Sequence, residues 1–246
     1  MSPLLSSRAR RLGIVSASIT VVLSVAYAVP LTAGLLSLPS PDAPIGEPWS
    51  AMMEILIILS MPAMVALMVA VHAWATPARK VFAAMAVVFM ALTTVVTCSV
   101  HFVILTVRHR AESAGQPWLM SVLSFRWLSV TYALDILAWD VFFALSVLPA
   151  AAVFGGGRLA RSIRLLLIIT GLLALAGPAG VIHDDADVRN IGIAGVFPVA
   201  TLLLMILFHR ADTVRAEAIR QESPEGAPRR SHAPPDHVLA SPTSTV

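Results

Sequence analysis

Four ionisable side chains lie inside stretches of the chain that are otherwise apolar. Two are Asp135 and Asp140, in the segment YALDILAWD, and the others are His101 and Glu54. A carboxylic acid in an apolar pocket can keep its proton and donate it to a substrate, and an imidazole can accept or return a proton near neutral pH. Charge is costly at membrane depth, so these four side chains are candidates for proton-transfer chemistry.

The surrounding composition is that of a membrane protein. Hydrophobic residues make up 57% of the 246 residues and charged residues only 13%, about half the roughly 25% of soluble domains. An apolar stretch of about 18 residues or more is long enough to cross the hydrocarbon core as a helix. We expect an all-α polytopic membrane bundle of about six transmembrane helices, at residues 12–38, 51–75, 81–107, 131–154, 165–182 and 190–208.

Basic residues flank these spans unevenly, and that bias sets the expected orientation. Eleven basic side chains lie on the side of the N-terminus and four on the other side. The eleven are Arg8, Arg10, Arg11, Arg79, Lys80, Arg158, Arg161, Arg164, Arg210, Arg215 and Arg220, and the four are Arg108, Arg110, Arg126 and Arg189. Both termini are therefore expected in the cytoplasm.

Segments outside the spans carry weaker signals. Residues 117–129 include two tryptophans and suit either an interfacial helix or an ordinary loop. Residues 209–222 are expected to extend the last span as a charged cytoplasmic helix, and the proline-rich residues 223–246 to form a disordered tail. The AYA at 26–28 fits a signal-peptide cleavage pattern, but the apolar run continues to Leu38, so we expect the first span to be retained.

The four ionisable groups fall at similar depths. With span four entering from outside at Thr131, Asp135 lies roughly 6 Å deep and Asp140 roughly 13 Å deep. By the same rise per residue, His101 lies roughly 9 Å below the outer end of its span, and Glu54 about one turn inside its own. All four are thus expected to line one cavity in the outer half of the membrane.

Roles within that cavity follow from depth and helical position. Asp140 is deeper than Asp135, so we prefer it as the catalytic acid, with His101 as its partner and Glu54 as a third catalytic candidate. Glu54 has an alternative role as a helix cap. The two aspartates are five residues apart, about 140° around an α-helix, so Asp135 is expected at the cavity mouth or paired with Arg126.

Four residues are candidates for contact with a substrate. Asp135 and Trp139 share one face of span four, Phe143 shares a face with Asp140, and Thr97 belongs to a polar stripe that leads to His101. Threonine is also common where membrane helices approach closely, so packing is the alternative for Thr97.

No metal site is expected. Cys98 is the only cysteine, and the chain has neither of the histidine pairs HxxxH and HExxH. The alternative is a divalent cation held by His183 and Asp184 in HDDADVRN, although membrane topology also explains an acidic outer loop. The sequence leaves the cofactor open.

Three segments carry a resemblance to known proteins. SVHFVILT (Ser99–Thr106), LDILAWDVFFALS (Leu134–Ser146) and RNIGIAGVFP (Arg189–Pro198), with the six-span pattern, resemble small bacterial multispanning membrane proteins. That resemblance implies the architecture and no activity. WDVFF (Trp139–Phe143) resembles the tryptophan-acid-x-x-aromatic segment of membrane-integral terpene cyclases. It implies acid-initiated chemistry on an isoprenoid-like substrate.

Three functions stay open. The first is an enzyme that acts on an apolar lipid or isoprenoid-like substrate through a buried acid. The second is a proton- or cation-coupled permease, and the third is a structural or accessory membrane protein. An enzyme should place Asp140 on an aromatic-lined pocket closed to the cytoplasm, whereas a permease should have a polar path that continues toward His72.

The expected partners are the lipid bilayer and an apolar small molecule. Topology explains the net charge of +3, so no nucleic acid is expected, and a homo-oligomer is left open. Lys80 is the only lysine among 17 basic residues, a bias typical of GC-rich bacterial genomes. The bacterial cytoplasmic (inner) membrane is the expected location.

Overall fold

The chain folds into long helices joined by short connections. The computed structural model describes residues 6–40, 43–113, 115, 117–125, 129–182 and 187–222. Within these residues there is no strand, and six helices are long and apolar enough to cross a membrane. The prediction of an all-α polytopic bundle with six spans is confirmed.

We number the spans in chain order. Spans one, two, three and five contain the helices Ser7–Leu36, Trp49–Trp74, Lys80–Ser113 and Arg158–Ile182. Span four consists of Val130–Ile136, a π-helix over Leu137–Phe142, and Phe143–Val153. Span six begins with the turn Asp187–Asn190 and continues as a π-helix over Ile191–Val196 and an α-helix over Phe197–Glu222.

The spans form a closed ring. Each packs against the next in the chain, and span six packs against span one. At the point of closure, the Ser18 hydroxyl lies 3.2 Å from the Met205 sulfur, and the ring of Phe208 covers Gly13. We call the end of the bundle with Gly13 and Phe208 the terminal end, and the opposite end the distal end. That the terminal end faces the cytoplasm stays a prediction.

Large apolar side chains fill the terminal half of the ring. Leu67, Met68, Leu204 and Phe208 have no exposed surface, and Trp74 meets Phe208 edge-on at 6.0 Å between ring centroids. Burial of such side chains excludes water from this half of the bundle.

Two basic side chains cap helices at the terminal end. The Arg79 guanidinium donates to the Val153 carbonyl at 2.9 Å, and the Lys80 ammonium donates to the His72 carbonyl at 2.6 Å. The last carbonyls of a helix have no partner within the helix, so cations near these positions are stabilising. These basic residues, which the sequence analysis used only for orientation, therefore also tie neighbouring spans together.

The connection before span four is partly helical. Its helix is Pro117–Val122, and its location at the membrane interface stays a prediction. The Thr131 hydroxyl contacts the carbonyls of Val122 and Ser124 at 3.0 and 2.9 Å, and Ser129 caps span four by accepting from the Tyr132 amide at 3.1 Å. These bonds hold the end of the connection against span four. Residues 126–128 lie outside the described part of the chain.

Span six runs beyond its apolar segment to Glu222 and includes residues 209–222. The cytoplasmic location of this extension stays a prediction. The tail predicted at 223–246 lies outside the described residues.

Closure of the ring requires a residue without a side chain at position 13, and this requirement can be tested. A Cβ at this position would lie 2.6 Å from a Phe208 ring carbon, whereas nothing lies within 4 Å of a Cβ at Gly195. We expect Gly13→Val to lower the free energy of unfolding by about 1–3 kcal/mol through overpacking. Thermal unfolding of the purified protein in detergent measures the change, with Gly195→Val as the matched control. Equal midpoints for the two variants would contradict the contact.

Candidate functional site

Ionisable residues from five spans meet near the distal end. Neighbouring spans run in opposite directions, so the ends of spans one and three lie beside the starts of spans two, four and six. The residues brought together are Tyr27, Glu54, His101, Tyr132, Asp135, Asp140 and Arg189. The expectation that the four predicted ionisable groups gather in one region therefore agrees with the structure.

Glu54 and His101 form a buried pair. They are 6% and 3% exposed, and the Glu54 carboxylate is hydrogen-bonded to Nδ1 of His101. Glu54 lies more than one turn after the helix begins at Trp49, so it does not cap that helix. The expected pairing of His101 with Asp140 is wrong, because the second carboxylate near the imidazole belongs to Asp135, whose Oδ1 is 3.7 Å from Nε2.

Arg189 lies between the two aspartates of span four. Its Nη2 donates to Oδ2 of Asp135 at 2.6 Å, and its Nε lies 3.2 Å from Oδ1 of Asp140. Arg189 was predicted to lie in an outer loop, but it is only 7% exposed. It takes the place expected for Arg126 as the partner of Asp135, and Arg126 itself lies outside the described residues.

The charge on Arg189 is maintained by its neighbours. An arginine guanidinium stays protonated in proteins, and the carboxylates of Asp135 and Asp140 lie beside that of Arg189. The guanidinium carbon also lies 5.9 Å from the centre of the Tyr132 ring, where a cation is attracted by the aromatic face. Arg189 is therefore a permanent cation at the wall of the site.

The π-helix of span four explains how one guanidinium reaches both aspartates. Over Leu137–Phe142 the backbone bonds extend to the fifth residue, and the wider turn brings residues five apart toward one face. Asp135 directly precedes this segment and Asp140 lies within it, and both contact Arg189, so the prediction from uniform α-helical geometry that the two aspartates serve separate places is wrong. A second π-helix, Ile191–Val196, begins two residues after Arg189 in span six. Such π-helical turns are frequent at functional sites.

Asp140 is enclosed by span five. It has no exposed surface, and a Cβ on Gly177 would lie 2.6 Å from its Oδ2. Among the described residues neither of its carboxylate oxygens has a hydrogen-bond partner. Its contact with Arg189 is therefore an ion pair without hydrogen-bond geometry. Only glycine leaves room for the carboxylate at this position.

A cavity of about 800 Å³ occupies the distal half of the ring. Six of the seven ionisable residues line it: Glu54, His101, Asp135, Arg189 and the two tyrosines. Aromatic side chains form much of the wall, namely Tyr27, Phe125, Tyr132, Trp139 and Phe197. The site therefore combines proton-exchanging groups with a largely apolar surface, as binding sites for small molecules do.

The cavity changes in character with depth. Toward its mouth it has polar residues such as Ser50, Ser124 and Asn190, and its opposite end is formed by apolar residues such as Leu23, Ile57 and Met64. The charged groups lie between these two regions. A bound molecule would therefore meet the charges at one end of an apolar chamber.

The sequence-predicted site residues divide into two sets. Glu54, His101, Asp135 and Trp139 line the cavity. Asp140 lies behind Arg189, and the fully buried Thr97 and Phe143 are not among the lining residues. Phe143 instead packs edge-on against Phe197, with 5.0 Å between the ring centroids. The structure gives Thr97 and Phe143 no contact with a bound substrate.

Three ionisable residues that line the cavity were not predicted as site residues from the sequence: Tyr27, Tyr132 and Arg189. The chain has only two tyrosines, and both line the cavity, so the rarity of tyrosine was an available signal. Arg189 stands alone among the acidic residues of HDDADVRN, directly before an apolar span. Such a lone cation next to carboxylates can indicate an ion pair within the bundle.

Within the described ranges, no group of three or more His, Cys, Asp or Glu side chains could hold a metal ion. His183 and Asp184, the alternative cation ligands, lie outside those ranges.

The ion pairs of Arg189 predict that its substitution lowers the stability of the protein. Arg189→Gln removes the guanidinium from Asp135 and leaves Asp140 buried without a cation, and we expect the free energy of unfolding to fall by about 3–5 kcal/mol. Arg189→Lys should retain only part of that stability, since an ammonium lacks the planar fork of a guanidinium. Thermal unfolding in detergent measures both changes, with the exposed Arg158→Gln as control. An Arg189→Gln protein as stable as the control would contradict the bridging role.

No family model, curated protein or solved structure matches the chain. The functional conclusion therefore depends on the geometry of the site.

Proposed function

We propose that the protein is a membrane-embedded enzyme that acts on an apolar, lipid- or isoprenoid-like substrate by proton transfer in the distal cavity. The observation that supports this most is the placement of Glu54, His101 and Asp135 on the wall of an aromatic-lined cavity of about 800 Å³. A cavity of this size falls in the range of small-molecule sites.

The closed end of the cavity favours an enzyme over a permease. On span two the lining residues end at Met64, about two turns before His72. The core beyond that point contains Leu67, Met68 and Val71, all fully buried. A coupled permease needs a polar path across the bundle, and these apolar residues interrupt such a path.

The Glu54–His101 pair is suited to hold and donate the proton. Glu54 faces the cavity and is hydrogen-bonded to Nδ1 of His101, so the two groups can share one proton. Donation of that proton to a carbon–carbon double bond forms a C–H bond and leaves a cation on the substrate. Loss of another proton from this cation to the same pair restores the original charge. The reaction is then an isomerisation or cyclisation without an added reagent.

The walls of the cavity are suited to such a cation. The aromatic faces of Trp139 and Phe197 line the same chamber, and aromatic faces attract cations most strongly where water is excluded. Asp135 also lines the cavity, 3.7 Å from Nε2 of His101, and a carboxylate attracts a nearby cation.

The position of Asp140 changes its proposed part in the reaction. This buried carboxylate contacts Arg189 rather than the cavity. We therefore assign Asp140 to positioning Arg189, which in turn holds Asp135. Glu54 and His101, rather than Asp140, are therefore the proposed proton donors.

The exterior of the bundle supports a location in a lipid bilayer. Apolar side chains such as Val22, Val88, Val95 and Leu172 point outward and are more than half exposed. With the basic residues at the terminal end, we propose that the bundle spans the bacterial cytoplasmic membrane with both termini inside.

Untargeted mass spectrometry of lipid-soluble extracts tests the enzyme. Cells expressing the wild type should make or consume a species that cells expressing Glu54→Gln do not, at matched levels of folded protein. Removal of a general acid should slow the reaction by about 10²–10⁴-fold. The matched control is Glu47→Gln, because Glu47 is exposed and does not line the cavity.

Asp140→Asn separates positioning from proton donation. We expect this variant to retain more activity than Glu54→Gln, because its side chain does not line the cavity. Identical extracts from cells expressing the wild type and Glu54→Gln would contradict the proposal of an enzyme. Proton flux in vesicles would then test the permease.

A further inference from the structure

Nε2 of His101 is a buried nitrogen without a hydrogen-bond partner among the described residues. The residue is only 3% exposed, and it lines the cavity. Oδ1 of Asp135 faces this nitrogen at 3.7 Å, beyond ordinary hydrogen-bond distance. Buried polar atoms are normally paired, and an unpaired one costs free energy. The gap between the two atoms is therefore suited to a bound polar atom that contacts both.

A group in this gap must be able both to donate and to accept a hydrogen bond. In a neutral imidazole one ring nitrogen donates and the other accepts. Nδ1 of His101 is bonded to Glu54, so Nε2 donates when Glu54 holds the shared proton and accepts when Glu54 is ionised. A hydroxyl group serves both states, because it can donate one hydrogen bond and accept others. When Nε2 donates to it, its own proton is directed to Asp135.

Other polar groups fit only part of this arrangement. A carbonyl or ether oxygen accepts but cannot donate to Asp135, and an ammonium group donates but cannot accept from an Nε2–H. A carboxylate or phosphate would bring negative charge beside Glu54 and Asp135, and like charges repel. Among these groups, only the hydroxyl matches the described contacts.

A movable side chain covers the imidazole. Nε2 itself is shielded from the cavity, and the Phe125 ring packs against the imidazole with 5.4 Å between the ring centroids. Phe125 lines the cavity and is 38% exposed, and exposed side chains change rotamer within nanoseconds. We expect rotation of this ring to open the path of a ligand oxygen to Nε2.

The chamber beyond the charges has room for one apolar chain. Along span two, ten residues separate Glu54 from Met64, the last lining residue of that span, and ten residues of helix extend about 15 Å. Leu23, Ile57 and Phe197 line this part. Burial of an alkyl chain against them would be favourable.

We propose that the distal cavity binds a long-chain alcohol. The hydroxyl group lies between Nε2 of His101 and Oδ1 of Asp135, and the chain extends toward Met64. As the substrate class of the enzyme, the alcohol rests on the proposed function. Its binding does not, because a saturated alcohol has no double bond to protonate and binds without turnover.

Competition binding to the full chain in phosphatidylcholine nanodiscs tests the proposal. The probe is tritiated dodecan-1-ol, and the competitors are unlabelled dodecan-1-ol and its isomer 1-methoxyundecane, whose oxygen accepts but cannot donate. Binding to empty nanodiscs is subtracted, and the concentration of each competitor in the lipid is measured. The alcohol should compete at least about tenfold better than the ether, as expected for a hydrogen bond to a charged group. Equal competition would overturn the proposal, whatever the lipid extracts show.

A pair of histidine variants locates the hydroxyl group. His101→Phe removes Nε2 and should weaken binding of dodecan-1-ol at least about tenfold. His72→Phe is the matched control and should leave binding unchanged, because His72 does not line the cavity. Unchanged binding by folded His101→Phe would overturn the assigned position. If His101→Phe does not fold, the comparison of alcohol with ether in the wild type still decides the result.

A pair of methionine variants locates the chain. The wild type is compared with each variant for alkanols from octyl to hexadecyl. Met64→Trp shortens the chamber and should shift the preferred alcohol to a shorter chain. Met52→Trp changes an exposed residue of the same helix outside the cavity lining and should leave the preferred length unchanged. An unchanged length preference in folded Met64→Trp would overturn the assigned position of the chain.

Discussion

The guanidinium of Arg189, held between the carboxylates of Asp135 and Asp140, is the constraint on which the distal half of the protein depends. A buried cation requires anions at short distance, and here both anions come from one helix. That requirement is met by the π-helix Leu137–Phe142, which brings the aspartates toward one side. The position of Asp140 beside Arg189 also requires glycine at position 177, where a side chain would collide with Asp140. The start of span six is thereby joined to spans four and five.

The Arg189 bridge continues into the Glu54–His101 pair. Asp135 contacts Arg189 through one oxygen and faces His101 through the other. Spans two, three, four and six therefore share one network of charges around the cavity. Groups in such a network influence one another's protonation more strongly in a low dielectric than they would in water. Such coupling suits the proton donation proposed for Glu54 and His101.

The two halves of the bundle have different physical roles. Fully buried residues such as Leu67, Phe143 and Leu204 close the terminal half, whereas the distal half contains the cavity and its charges. Chemistry on a reactive cation needs an apolar chamber that excludes water. The apolar end of the cavity, which reaches Met64 on span two, would meet this need. On span two the core residues beyond Met64 include the apolar Leu67, Met68 and Val71, and this supports the proposal of proton transfer to a bound molecule over that of transport.

Hydrophobicity and helical length, read from the sequence by itself, determined six spans and the candidate residues, because both are local properties of the chain. Glu54, His101, Asp135 and Asp140 were found in this way, since a charge in an apolar run is conspicuous without a structure. Only the tertiary structure decided their partners. Arg189 enters from a turn more than fifty residues away, and the π-helix changes which residues share a face. Pairing depends on the packing of distant helices and on local departures from α-helical winding, and neither is a property of a single segment.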